Sequence, residues 1–306
     1  MSYAIEAKNI SKTYKTDGKK INALENLNLN ISEGSIYGFI GPNGAGKTTA
    51  IKIFMGLITP TSGEIKLFGK NAGSVAANNN IGYLSEIAYY YTFMEAENLL
   101  NYYGLLKGIP KQERKRRIDE NLELVGLKDR ARQKLKGYSK GMLQRFGIAL
   151  ALLGNPKLLI LDEPTSGLDP IGRKEVKGII RVLKSKGITI FLSSHHLSEV
   201  ETICDEIGVI NYGKMITSKK LSDFLDYDKN VYTLRFNDNK GELEKLLSDK
   251  NIKISKEEDQ VQRVTVDTKD FSEIFSMINE NGGIVIEAIP GYGNLEDTFF
   301  KLVKEE

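Results

Sequence analysis

Gly41-Pro42-Asn43-Gly44-Ala45-Gly46-Lys47-Thr48-Thr49 is a complete G-x-x-x-x-G-K-[ST] loop. The run Ser35-Ile36-Tyr37-Gly38-Phe39-Ile40 before it reads as a strand, and Thr49-Ala50-Ile51-Lys52-Ile53-Phe54-Met55 after it reads as a helix. Phosphate binding requires that strand–loop–helix context. Glycines let backbone N–H groups curl around phosphate oxygens with no Cβ in the way, and the new helix aims the positive end of its dipole at the same anion. In such a loop Lys47 reaches the β- and γ-phosphates, and the Thr48 hydroxyl helps to hold Mg²⁺. A glycine-rich surface turn that merely contained Gly-Lys-Thr would not be flanked in this way. The expectation is a bound nucleoside triphosphate.

A second element belongs with it. Leu158-Leu159-Ile160-Leu161 runs into Asp162-Glu163, so a buried strand delivers two carboxylates at its carboxyl edge, where open α/β sheets place their ligands. Asp162 fits a water-mediated Mg²⁺ ligand, and Glu163 fits the group that polarises the water attacking the γ-phosphate.

The pattern around these motifs alternates strands with helices, which implies a parallel sheet with helices on its faces. Residues 24–31 alternate as a half-buried strand, and another strand is expected at 63–68. Residues 93–127 turn helical with a break at Gly108-Ile109-Pro110, and 137–154 form a further helix. Strands at 157–161, 188–192, 207–211 and 215–217 and a helix at 171–184 complete this part. Residues 226–230 are polar and turn-prone, a plausible linker. Beyond them, strands at 231–236, 252–255, 261–266 and 284–289 and helices at 242–247 and 271–279 follow the β-α-β-β-α-β order of a ferredoxin-like unit, with one added helix at 295–303.

Composition narrows the partners. The 306 residues are 41% hydrophobic and carry a formal net charge of +3, which gives no polyelectrolyte signature, so no nucleic acid is expected. The basic run at 111–117 sits on a helical stretch and reads as a solvated face. The single cysteine, Cys204, excludes an internal disulfide and suits a reducing compartment as a packed small hydrophobe. The chain opens on a charged, strand-like segment rather than a signal peptide, and its apolar runs fall short of the ~18 residues a membrane span needs. A soluble protein inside the cell is expected.

Tyr138-Ser139-Lys140-Gly141-Met142-Leu143-Gln144-Arg145 decides among triphosphatases. It opens a helix upstream of Asp162, with Ser139 placed to cap it. Here the chain resembles the nucleotide-binding subunits of ATP-binding-cassette (ABC) transporters, whose signature is usually Leu-Ser-Gly-Gly-Gln. This sequence keeps the serine and the second glycine, with Tyr138, Lys140 and Met142 elsewhere in the motif. Further family elements follow in order. Pro164-Thr165-Ser166-Gly167-Leu168-Asp169-Pro170 looks like the D-loop. Ser193-Ser194-His195 matches the switch histidine, while His196 reads as a helix start. Tyr14 resembles the aromatic that stacks on adenine. Ile81-Gly82-Tyr83-Leu84-Ser85-Glu86 resembles the Q-loop with Glu86 in place of glutamine, a carboxylate still able to hold Mg²⁺ or its water.

The resemblance spans residues 3–219 and implies an ABC-type P-loop ATPase: a mixed sheet with helices, an antiparallel β subdomain and a helical subdomain at about 93–154. It sets the cassette at 1–225 and a small α+β accessory domain at 230–306. It implies ATP and Mg²⁺ as cofactors, with Tyr14 and the whole run from Gly41 to Thr49 on ATP, and Thr48, Glu86 and Asp162 on the metal. Glu163 and His195 would be catalytic. A second copy, or a paralogous subunit, would supply Ser139, Lys140, Gly141, Met142 and the D-loop Asp169 across a dimer. The carboxyl-terminal run Asn294-Leu295-Glu296-Asp297-Thr298-Phe299-Phe300 is similar to the extension of multidrug, antibiotic or lipid exporter ATPases. The implied work is ATP-driven export through a separate transmembrane permease, at the inner face of the cell membrane. The alternative is a soluble ABC-type regulator of ribosomes or DNA, although such proteins usually carry two cassettes or a long coiled-coil insertion. A GTPase is disfavoured because Asn239-Lys240-Gly241-Glu242 only approximates the guanine-reading Asn-Lys-x-Asp pattern.

Overall fold

In the computed structural model, residues 2–16, 18–224, 231–238, 243–250, 252, 254–256 and 261–290 are described. The chain divides into two units, Met1–Leu221 and Ser222–Glu306.

The first unit opens with two long strands, β1 (Tyr3–Thr16) and β2 (Lys19–Ser32), paired antiparallel. Their alternation is interrupted by a bulge. Asn9 (φ 51°) and Asn26 (φ 48°) adopt left-handed backbone, which asparagine tolerates, and the Asn9 N–H donates to Asn28 Oδ1 at 2.9 Å. Each strand carries an extra residue there, and the one in β2 resets which of its side chains face inward, so Leu24 is followed into the core by Leu27, Leu29 and Ile31. After β3 (Ile36–Ile40) and α1 (Lys47–Phe54), strand β4 (Ser62–Leu67) pairs with the other edge of β1, and β5 (Lys70–Asn71) completes a sheet ordered β2-β1-β4-β5.

Then come α2 (Val75–Asn78), β6 (Ile81–Leu84), α3 (Ala96–Leu106), α4 (Lys111–Leu124) and α5 (Lys140–Leu152). The break between α3 and α4 falls at Gly108, in left-handed backbone at φ 69°. The remaining elements are β7 (Leu158–Asp162), α6 (Pro170–Ser185), β8 (Thr189–Ser194), α7 (Leu197–Ile203), β9 (Glu206–Asn211), β10 (Lys214–Lys220) and α8 (Leu221–Phe224). The sheet runs β10-β9-β3-β8-β7-β6; β9, β3, β8, β7 and β6 are mutually parallel and β10 is antiparallel.

β3, β7 and β8 are buried along their whole length, as apolar runs without alternation require when both faces are covered. Register then places the chemistry. Ile40 pairs with Ser194 and Asp162 with Ser193, so the carboxyl ends of three adjacent strands meet at one edge.

Two findings refine the sequence reading. The basic run at 111–117 is not simply a solvated face: Arg114 is buried, its Nε donating to Asn101 Oδ1 at 2.6 Å and its Nη1 to the Ile109 carbonyl. Arg117 also reaches inward, to the Leu153 carbonyl at 3.0 Å. An amphipathic helix turns every third or fourth residue toward its neighbours, and the long arginine stem serves there as core. Cys204 is buried, and burial pushes its thiol well above the ordinary range. Among the described residues, no helix is long and apolar enough to cross a membrane.

The second unit contains β11 (Val231–Asp238), α9 (Leu243–Asp249), β12 (Ile254–Lys256), β13 (Val261–Asp267), α10 (Phe271–Glu280) and β14 (Gly283–Pro290). Its antiparallel sheet is ordered β12-β13-β11-β14, the split β-α-β-β-α-β topology of a ferredoxin-like fold. Leu234, Phe236, Val264 and Val266 on the sheet pack with Leu243, Leu247, Ile274 and Ile278 on the helices. The expected linker at 226–230, the Asn239–Glu242 run and the helix expected at 295–303 lie outside the described residues.

Candidate nucleotide site

The loop after β3 is shaped by clashes that only glycine escapes. A Cβ on Gly41 would sit 2.3 Å from the Ile210 carbonyl oxygen. Gly46, at φ 108°, would press a Cβ to within 2.6 Å of the Ala23 carbonyl oxygen. Gly46 caps α1 with no side-chain oxygen, so the first-turn amides of the helix look into the space above the loop. That space is a cleft of about 490 Å³, lined by the loop from Pro42 to Thr49, by Ile21, Asn22 and Ala23 of β2, and by Glu86, Asp162, Glu163, Ser166 and His195.

Its charges are crowded and largely dry. Lys47 Nζ donates to the Gly41 carbonyl at 2.6 Å and to that of Pro42 at 3.2 Å, and lies 3.8 Å from Glu163 Oε1. Burial lowers the Lys47 pKa from its ordinary value, while Glu163, Asp162 and Glu86 pull it back up. Asp162 shifts upward, chiefly through burial and further through Glu86 and Glu163, against the hydrogen bond it accepts from Ser193 Oγ at 2.6 Å.

Glu163 stands in left-handed backbone at φ 48°, a strained conformation for a residue with a Cβ. It is held there from two sides. Its N–H donates to Ser193 Oγ at 3.0 Å, and its Oε2 lies 2.8 Å from His195 Nδ1. One hydroxyl therefore fixes both members of the Asp162–Glu163 pair. Chemically, the cleft offers amides and an ammonium for a polyanion, hard oxygen donors for a cation, and a carboxylate with a histidine partner to act on water.

Of the residues singled out from the sequence, Pro42 to Thr49, Glu86, Asp162, Glu163 and His195 meet in this cleft; Gly41 does not line it, because it is packed against Ile210, and reaches it only through the bond its carbonyl accepts from Lys47 Nζ. Tyr14 does not line it. It lies on β1 directly opposite Ile21, which does, and is 36% exposed with the Lys12 ammonium 5.3 Å from its ring centre. Ser139, Lys140 and Gly141 line a different cleft of about 320 Å³, together with Gly167, Leu168 and Asp169. Ser139 Oγ accepts the Met142 N–H at 3.2 Å and so caps α5; Met142 itself does not line that cleft. Asp169 caps α6 by accepting the Gly172 N–H at 2.7 Å.

Sequence reasoning passed over two contributors. Ser193 stands in the sequence as a neighbour of the histidine, and its place at the end of a buried strand is the signal of an inward hydroxyl. The turn between β9 and β10 is the other: the Gly213 N–H donates to the Ala45 carbonyl and the Gly213 carbonyl accepts from Glu25 N–H, each at 2.9 Å, so the turn ties the phosphate loop to β2. Only the Tyr212-Gly213 pair marked it.

A family model for ABC transporters matches residues 24–166. An uncharacterized ABC transporter ATP-binding protein of Synechocystis is 45% identical over 230 residues, which make up 74% of this chain and 65% of that relative, just under two thirds of its length. The bacitracin transport ATP-binding protein BcrA of Bacillus licheniformis is 37% identical over 309 residues, 99% of this chain and 98% of its own. Among solved structures, a dimeric ATP-binding cassette in a post-hydrolysis state bound to ADP and Pi superposes with a TM-score of 0.65 at 27% identity, covering 71% of this chain and 98% of that one.

Proposed function

The chain belongs to the ABC transporter ATP-binding proteins and is an ATPase of that family, and on that premise we propose that it powers an exporter whose membrane-spanning part is a separate permease. One observation carries the catalytic part of the reading: phosphate loop, carboxylate pair and histidine converge at the carboxyl edge of β3, β7 and β8.

In this reading the amides of residues 43–49 and the Lys47 ammonium hold the triphosphate, and Tyr14 stacks on adenine from the neighbouring strand. Glu163 takes a proton from the attacking water. His195, already bonded to Glu163, orients that carboxylate and faces the incoming γ-phosphate. Thr48, Glu86 and Asp162 would hold Mg²⁺, whose charge would offset that of the phosphates. Among the described residues, no group of three His, Cys, Asp or Glu side chains could hold a metal. Mg²⁺ is commonly bound through one or two carboxylates plus the substrate phosphates rather than a protein cage, and Thr48, Glu86 and Asp162 on the wall of the cleft fit that pattern.

Ser139, Gly141 and Asp169 stand at a separate cleft of the same chain, and so we assign them, with Lys140 and Met142, to ATP bound by a second copy or a paralogous subunit. Two such chains closing head to tail bury two nucleotides, and hydrolysis reopens them, a ligand-driven population shift delivered to the permease at the inner membrane face. The transport role draws its support from the bacitracin transport relative, and the export direction from the resemblance of the chain to exporter ATPases. Glu163→Gln, which keeps the shape but removes the base, should bind ATP and accumulate as a dimer in sedimentation, with turnover down at least about 100-fold. A variant that stays monomeric with ATP, or turns over like the parent, contradicts the assignment. Lys47→Ala should sharply weaken ATP binding in titration calorimetry, and identification of the co-purifying membrane protein tests the permease.

A further inference from the structure

Two residues past Glu163, the Thr165 hydroxyl donates a hydrogen bond to Glu199 Oε2. Both side chains are nearly sealed from solvent, Thr165 at 4% exposure and Glu199 at 7%. The other carboxylate oxygen, Glu199 Oε1, is buried without a hydrogen bond; its nearest compensating charge is Arg173 Nε at 3.7 Å. That guanidinium nitrogen is itself engaged with the Leu168 carbonyl at 2.9 Å. Glu199 therefore grips the loop from 163 to 169 at both ends, Thr165 directly and Leu168 through Arg173.

Burial of a carboxylate with one oxygen unsatisfied is a poor way to add stability, since an apolar set of equal volume usually does as well or better. What such a group provides is position. The loop it grips matters because Leu168 and Asp169 line the cleft that also holds Ser139 and Gly141. The helix that carries Glu199, α7, begins immediately after the His195–His196 pair. β7 and β8, with the segments that follow each of them, are thus laced by three contacts in series: Ser193 to Asp162, His195 to Glu163, and Glu199 to Thr165. The first two set the hydrolytic groups; the third reaches past them to the other cleft.

We propose that Glu199 is a positioning residue whose clasp on Thr165 and Arg173 holds the 163–169 loop in the shape onto which a second copy of this chain closes over ATP. The inference rests on the head-to-tail dimer proposed above and adds the device that keeps one chain's docking loop in register with its own histidine.

The test uses the full chain carrying Glu163→Gln, with ATP-driven dimerisation followed by sedimentation and single-chain nucleotide affinity followed with a fluorescent ATP analogue under dilute, monomeric conditions. Adding Thr165→Val, which removes the hydroxyl at equal size, should raise the ATP concentration needed for half-dimerisation by about tenfold. Analogue affinity should stay unchanged, and Thr165→Ser should restore the parent midpoint. Glu199→Gln, which keeps an oxygen for Thr165 but discharges the contact with Arg173, should fall between them. A Thr165→Val chain that dimerises like its parent, a Thr165→Ser chain as weak as Thr165→Val, or equal losses of analogue affinity and dimerisation would each overturn the proposal. A Glu163→Gln chain that stays monomeric with Thr165 intact overturns the dimer reading instead, and this inference with it.

Discussion

The two units bury very different chemistry. Around the phosphate loop the first unit seals Lys47, Asp162, Glu163, Ser193 and Glu199 from solvent, and it sets Glu163 in strained backbone to do so. In the second unit, among the described residues, no charged side chain is buried: Thr233 and the side-chain oxygens of Asn237 and Gln262 are the polar groups out of solvent, and the core is aliphatic and aromatic. A core held together by apolar packing alone avoids the cost of desolvating charge. Where charge is buried and paired at a sheet edge, stability has been traded for chemistry. The contrast predicts that the units answer differently to mutation and to ligand.

The largest effect should come from the plain core. Phe236, fully buried between sheet and helices, cannot be truncated without leaving a void, and Phe236→Ala should destabilise its unit by about 3–5 kcal/mol. Thermal unfolding of the full chain should show this loss in one transition, while an ATP analogue raises only the other. ATPase activity at temperatures below both transitions should be unaffected. A single transition moved by both perturbations would break the contrast, since the two units would then be one cooperative body.

Next in size is the phosphate loop itself. Gly46→Ala forces a Cβ toward the Ala23 carbonyl at 2.6 Å and penalises a backbone at φ 108°. Strain of about 1–3 kcal/mol, released only by moving the loop, should weaken ATP about 10- to 100-fold. Phe236→Ala should not change that affinity. An unchanged ATP affinity in Gly46→Ala would mean that the loop adapts, and that the close approach of β2 does not set its shape.

How much of this was legible in sequence follows the same division. Strand–loop–helix, the Asp162–Glu163 strand end and the β-α-β-β-α-β order of the second unit could be read because each is local: periodicity and glycine spacing encode it directly. Contacts between distant segments left no such trace. The bulge at Asn9 and Asn26 shows in the sequence only as the step of three from Leu24 to Leu27, and that spacing does not say which residues of the partner strand are displaced. Glu199 reads as an ordinary first-turn acid of α7 until Thr165 is seen beside it. Arg114 and Arg117 read as solvated because the five charged or polar residues around them in the run mask two inward-facing stems.

The smallest effect is also the sharpest test of charge burial. Asp162 is shifted upward by burial, so the folded chain takes up this proton more readily than the unfolded chain does. Stability from that site is complete below the unfolded value, about pH 4, and is lost as pH rises through the folded value. At a pH above that folded value the nucleotide-free protein therefore carries an ionised, partly desolvated carboxylate at a net cost. Asp162→Asn keeps an oxygen to accept from Ser193 Oγ and presents an amide to Glu86 and Glu163. It should raise the melting temperature of the first unit by about 2–4 °C at pH 8, with the gain vanishing toward about pH 4, while Mg²⁺-dependent hydrolysis falls. A gain of equal size at both pH values would place its origin in packing rather than charge. A loss at pH 8 would mean that the neighbouring Lys47 already compensates the ion in full, and that the cleft is less costly to the fold than its burial implies.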